Sequence, residues 1–140
     1  MSEILLAEDN PADVYLIREA LREYSVCCTV RVASDGKDAL QIISDKDSNE
    51  EPGRFDLIIL DLNLPWHDGI EILQRIRQAA ALAHVPVVIL TSSDSTRDRQ
   101  RATQIGVTRY LRKPHNLKEF LNLGAVFKDL LGQRNTSSEG

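Results

Sequence analysis

Five residues far apart in the chain have types that could do chemistry together if a fold collected them: Glu8, Asp9, Asp61, Thr91 and Lys113. Each follows a short apolar run. Ile4 to Ala7 ends in Glu8 and Asp9, Leu57 to Leu60 in Asp61, Val87 to Leu90 in Thr91, and Val107 to Leu111 leads to Lys113. Three carboxylates brought together repel one another unless a cation sits among them, and one lysine cannot neutralise all three. A divalent ion can, and an all-oxygen donor set suits Mg2+ or Mn2+ rather than zinc. In such a site, Asp61 could attack phosphorus and give an acyl phosphate. The metal and Lys113 would neutralise the phosphoryl oxygens, and Thr91 would donate a hydrogen bond. A strand-terminal aspartate alone says little, and paired acids before a helix commonly serve its dipole. The joint placement carries the reading.

The runs are rich in β-branched or aliphatic residues, and the continuous ones suit strands buried on both faces of a parallel sheet. A further run, Val30 to Ala33, makes five. Between them lie helical stripes: Val14, Ile17, Leu21 and Tyr24 after an Asn10-Pro11 start, then Ala39, Leu40 and Ile43, then Ile70, Leu73 and Ile76. A helix over roughly Thr96 to Ile105 offers only Ala102 and Ile105 as apolar residues and ends at Gly106, so it should be the most weakly anchored. Leu117, Phe120, Leu121, Gly124, Phe127 and Leu131 mark the last. The order is βα repeated five times, an α/β fold with right-handed crossovers, and such sheets carry their sites at the carboxyl ends of the strands. Residues 46–54 form a long polar connection, and Gln133 to Gly140 reads as a flexible tail after a domain over 1–132.

The chain has 140 residues, 42% hydrophobic and 27% charged, a balance for one domain with one sizeable core. Its net charge of −4 argues against broad binding to nucleic acid or anionic membranes. The apolar start after Met1 is too short for a signal peptide, and no run is long enough for a membrane span. Cys27 and Cys28 are adjacent with no ligand spacing around them, so one core and one surface thiol are expected, in a reducing, cytoplasmic setting.

With ILLAEDN at 4–10, LIILDLNLPWHDG at 57–69, PVVILTSS at 86–93 and GVTRYLRKP at 106–114, the chain resembles the response-regulator receiver family over about residues 3–131. The resemblance implies a doubly wound, three-layer, flavodoxin-like sandwich with five parallel strands in the order 2-1-3-4-5. It makes Asp61 the phosphoacceptor. Asp9, Asp61 and the Asn63 carbonyl would hold Mg2+, with Mn2+ able to substitute and Glu8 acting through water. Asn63, Ser92 and Lys113 would face the phosphoryl group. Thr91 would be the switch hydroxyl, and Tyr110 the aromatic that swings inward as Thr91 moves. The Lys113-Pro114 bond would be cis. The phosphodonor would be a sensor histidine kinase or a phosphotransfer protein, and self-directed phosphotransfer and autodephosphorylation would be the only chemistry. The sequence shows no output segment after the fifth helix, so the resemblance implies a stand-alone module read by another protein. The LDLNLP wording is similar to single-domain regulators that serve bacterial phytochrome kinases.

Other features have two readings. Trp66 either docks a partner or lies on nearby apolar surface. Arg97, Arg99 and Arg101, with Arg109 and Arg112, form either a solvated face or a surface for an acidic partner. Phe120, Leu123 and Phe127 raise the idea of a homodimer through the face of the fourth helix, fifth strand and fifth helix. His67, His84 and His115 lack metal spacing and suit surface or capping roles. A phosphohydrolase built on Asp61 would need an acid two residues on, where Asn63 stands. A flavin-type phosphate loop would not be acidic, as the segment after the first strand is.

Overall fold

The computed structural model describes residues 1–48 and 54–139, with side chains through residue 132. Strands and helices alternate: β1 (Ser2–Ala7), α1 (Pro11–Glu23), β2 (Cys28–Ala33), α2 (Gly36–Asp47), β3 (Leu57–Leu60), α3 (Gly69–Gln78), β4 (Val87–Thr91), α4 (Thr96–Ile105), β5 (Arg109–Arg112) and α5 (Leu117–Glu139). The sheet is parallel with the order β2-β1-β3-β4-β5. β1 and β3, adjacent in space, are where the winding reverses direction, so a crevice opens at their carboxyl ends.

Residues in the central strands alternate between two cores, as a period of two requires. Leu5, Ala7, Ile58, Leu60, Val87 and Ile89 point to one side and pack with α2, α3 and Ala102 of α4. Ile4, Leu6, Leu57, Ile59, Val88 and Leu90 point to the other, with α1 and α5. Both faces are covered, which is why these strands read as unbroken apolar runs. β5 lies at the edge, and its Arg109 and Arg112 are exposed.

Every helix starts on a short polar side chain that takes up an unpaired amide. Asn10 accepts from the N–H of Ala12, Asp35 from Asp38, Asp68 from Ile70, Ser95 from Asp98 and Asn116 from Glu119. α4 ends on Gly106 at φ 113°, a left-handed conformation that glycine adopts without a Cβ clash. Its only buried residue is Ala102.

Several expectations need adjustment. β5 begins at Arg109 rather than Val107, because Thr108 is spent on a turn that bonds Val87: its backbone N–H reaches the Val87 carbonyl at 2.9 Å, and its hydroxyl accepts from the Val87 N–H at 3.0 Å. Phe120, Leu123 and Phe127 do not form an outer dimer face. They are 4%, 9% and 0% exposed, because the α5 stripe is consumed by α1 and the sheet. The Lys113-Pro114 bond is trans, not cis. Trans is the lower-energy isomer by about 0.5–1 kcal/mol, and with it Lys113 donates its N–H to the Thr91 carbonyl at 2.8 Å. α5 continues as helix to Glu139, past Gln133, since no proline interrupts its ladder there. α2 runs to Asp47, so the polar connection starts later than 46, and residues 49–53 of it lie outside the described residues. Cys27 is exposed and Cys28 half-buried, both free thiols.

α1 and α5 approach closely at Gly124, where a Cβ would come within 2.2 Å of the Ala20 carbonyl oxygen and 2.5 Å of the Tyr24 ring. Gly124→Ala is therefore expected to lower unfolding stability by about 1–3 kcal/mol, the cost typical of overpacking a filled core. Urea denaturation followed by circular dichroism reads it.

Candidate functional site

The register of the central strands places the site. Ala7 of β1 pairs with Leu60 of β3, so the residues that follow them, Glu8 and Asp61, emerge side by side. Backbone bonds carry the pairing one step further: Asp61 donates its N–H to the Ala7 carbonyl, and Glu8 donates to the Ala33 carbonyl, both at 3.0 Å. Asp61 and Glu8 are accordingly 4% and 2% exposed, although both are acids. Thr91, the last residue of β4, is fully buried.

Lys113 compensates this burial. Its Nζ lies 2.7 Å from Glu8 Oε1, 2.8 Å from Asp61 Oδ2 and 2.7 Å from Asp13 Oδ2. An ammonium has three donors, and here each has a carboxylate. Burial by itself disfavours the Lys113 charge, but the hydrogen bonds to Asp13, Asp61 and Glu8 outweigh it and hold the pKa above the ordinary lysine range. Glu8 goes the other way. Burial pushes its carboxyl up to about 7 and the Asp61 charge adds to this, against the opposing hydrogen bonds from Lys113 and the Asn10 N–H.

Oxygens of Glu8, Asp9 and Asp61 lie within 4.8 Å of one another, with Asp9 exposed and the other two buried. This hard, all-oxygen set with surplus negative charge fits a divalent cation such as Mg2+ or Mn2+. The loop after β3 adds further groups. The Asn63 N–H donates to Asp61 Oδ1 at 3.0 Å, and the Asn63 side-chain amide donates to the Thr91 hydroxyl at 3.2 Å. The Thr91 oxygen also accepts from the Ser93 N–H at 3.3 Å. Thr91 thus accepts two hydrogen bonds in this state. Ser92 is exposed at the rim.

Tyr110 is already turned inward. Its hydroxyl is buried with no hydrogen-bond partner among the described residues, its ring packs on the core, and the Arg99 guanidinium lies 5.5 Å from the ring centre. Trp66 stands 86% exposed on the same rim at φ 73°, a strained conformation for a bulky residue, so it does not lie down on apolar surface. His67 lies beside Glu71 at 3.8 Å, in keeping with a surface role.

The response regulator receiver domain model matches residues 4–123. The chain belongs to that family. It is 37% identical over 120 residues to response regulator Rcp1 of Synechocystis, covering 86% of this chain and 82% of that one. Against the probable transcriptional regulator ycf29 of Porphyra purpurea, at 30% identity, it spans 64% of the relative's length. Its fold superposes on the phosphorylated cyanobacterial phytochrome response regulator RcpA with a TM-score of 0.83, 34% identity and 93% of each chain covered. The Mn2+-bound form of Rcp1 gives 0.82, 34%, and 91% and 92%. The chain is thus a two-component phosphoreceiver with the flavodoxin-like receiver fold. Among the described residues, no helix is long and apolar enough to cross a membrane.

The sequence reading named Glu8, Asp9, Asp61, Asn63, Thr91 and Lys113, and the fold brings all six to one crevice. It missed Asp13. An acid in the first turn of a helix reads as a partner for the helix dipole, and only the fold reveals that it faces Lys113.

In the metal-free protein, the native Glu8 pKa of about 7 exceeds its ordinary 4.5, so the native state binds the extra proton between those values. The stability Glu8 contributes is therefore fully present below about 4.5 and lost as pH rises through about 7. Glu8→Gln should flatten that stretch of the stability–pH curve, measured as urea midpoints in the presence of chelator.

Proposed function

We propose that Asp61 accepts a phosphoryl group from the phosphohistidine of a sensor histidine kinase or phosphotransfer protein. The observation that carries this reading is the meeting of Glu8, Asp9 and Asp61 within 4.8 Å, with Lys113 already on Asp61 at 2.8 Å. Glu8, Asp9, Asp61 and the Asn63 carbonyl would hold Mg2+, or Mn2+ in its place. The bound cation supplies positive charge to the phosphoryl oxygens.

An Asp61 carboxylate oxygen forms the new bond to phosphorus while the bond to the donor imidazole nitrogen breaks. The imidazole leaves neutral, keeping the proton on its other nitrogen. Lys113 turns from Asp61 to a phosphoryl oxygen, and the backbone amides after Asp61 and Thr91, with exposed Ser92, line the opening through which the donor approaches. Thr91 rotates to donate to the phosphoryl group, giving up the bond it accepts from Asn63. Hydrolysis then returns Asp61 to the carboxylate, so the transfer chemistry is directed only at the protein itself.

The readout is a change of binding surface, a shift between two populated states. α4 is the element to respond, since Ala102 alone is buried. Its Arg97 and Arg99, with Arg109 and Arg112 of β5, are exposed and suit an acidic downstream partner. A kinase of the phytochrome type is favoured by the relatives, which include RcpA and a bacteriophytochrome response regulator with a TM-score of 0.74 and 36% identity. A phosphohydrolase acting on outside substrates is disfavoured, because Asn63 occupies the general-acid position and its amide is engaged with Thr91.

Incubation with acetyl phosphate and Mg2+ should add one phosphoryl group by intact mass. The adduct should be labile to hydroxylamine and absent from Asp61→Asn. Turnover of phosphate esters with no adduct on the native chain would overturn the assignment.

A further inference from the structure

Asp13 has no part in the chemistry described above, yet it forms one of the two shortest contacts that Lys113 makes, at 2.7 Å. Its side chain is 18% exposed and that of Lys113 11%, so the pair is shielded from solvent for the most part. Asp13 lies outside the group of oxygens around the cation position, which comprises Glu8, Asp9 and Asp61. It is also rigidly carried. The capping bond from the Ala12 N–H to Asn10, at 2.9 Å, and proline at the helix start fix the first turn of α1 on which Asp13 sits.

We propose that Asp13 is a positioning residue for Lys113, a tether that holds the ammonium at the rim of the site when a divalent cation takes over Glu8 and Asp61. The inference rests on the phosphoacceptor reading for its purpose, though not for its test. Two of the three carboxylates on Lys113 belong to the cation's own donor set, and a cation and an ammonium compete for them. Asp13 is the one acceptor of the three that the cation does not share. Pulling Lys113 toward α1 reduces its competition for Asp61 and Glu8, yet keeps it where an incoming phosphoryl oxygen can be met.

The test is a double-mutant cycle on Mg2+ affinity, measured by titration of backbone amide signals in NMR. Asp13→Asn should weaken Mg2+ binding by about threefold to tenfold, the range for coupling within one charge network, and by less than about twofold when Lys113→Ala is also present. Lys113→Gln serves in the same place should the alanine variant fold poorly. The side-chain ammonium signal of Lys113, slow to exchange while Asp13 holds it, should broaden beyond detection in Mg2+-saturated Asp13→Asn. Equal weakening with and without Lys113 would show that Asp13 acts only as a nearby charge. Unchanged affinity in the single variant, or an unchanged ammonium signal, would also overturn the proposal. None of these readouts needs phosphorylation. Failure of the native chain to take phosphoryl from acetyl phosphate would count against the Asp61 reading alone, and failure of the cycle against Asp13 alone.

Discussion

The carboxyl edge of the sheet depends on one balance of charge: the acids Glu8, Asp13 and Asp61 against the ammonium of Lys113. Parallel pairing of β1 with β3 leaves no choice about proximity, because Ala7 opposite Leu60 makes Glu8 and Asp61 neighbours. Burying two carboxylates side by side is costly unless each finds a partner. Lys113 arrives on the loop after β5 and is fixed by its own N–H bond to the Thr91 carbonyl. Among the described residues, Lys113 is the cation paired with Glu8, Asp13 and Asp61, so acid exceeds base there. Such a site is kept ready for added positive charge and for a group that brings its own negative oxygens with it.

The rest of the fold explains how that imbalance is tolerated. Central strands with both faces buried give the crevice a floor that does not shift, and the alternation of Leu5 and Ala7 with Ile4 and Leu6 divides the work between two cores. The close seam of α1 against α5 at Gly124 matters to the site as well as to stability. It holds α1 at a set height, and α1 carries Asp13. Packing between α1 and α5 thereby bears on the ion pairs at the sheet's edge.

Much of this was legible in the sequence, for identifiable reasons. Apolar runs buried on both faces are hard to mistake, and the polar residue at the end of each run falls by construction at the carboxyl edge. The end of Thr96–Ile105 was readable because Gly106 closes it. What escaped depended on side-chain direction or on competition between partners. Phe120, Leu123 and Phe127 looked available because a helical stripe does not say how many neighbours it must satisfy. The trans Lys113-Pro114 bond escaped because residue types do not fix an isomer when the difference is small. Asp13 escaped because its local role at a helix start was sufficient explanation until the chain brought Lys113 to it from 100 residues away.

α4 is the element through which the proposed change at the edge would reach the surface. Its carboxyl end is pinned: Arg77 donates to the Gly106 carbonyl at 2.8 Å and to the Val85 and Ala83 carbonyls at 2.7 and 3.1 Å, from a setting so buried that its pKa is pulled down. Its remaining ties are weaker, a surface pair between mid-helix Arg101 and Asp68 at 3.6 Å and, nearer the amino end, the contact of Arg99 with the Tyr110 ring. Exposed pairs of that kind contribute at most about 1 kcal/mol, whereas the half-buried Arg77 guanidinium holds three carbonyls that would otherwise lose a partner. The first turn of α4 is therefore the cheaper end to displace, with the Gly106 end as the pivot. That turn follows Thr91 by the short loop 92–95, and Tyr110, whose buried hydroxyl has no partner among the described residues, lies against Arg99 within it. On the proposed reading, a change in the hydrogen bonds of Thr91 would act on the end of α4 that resists least.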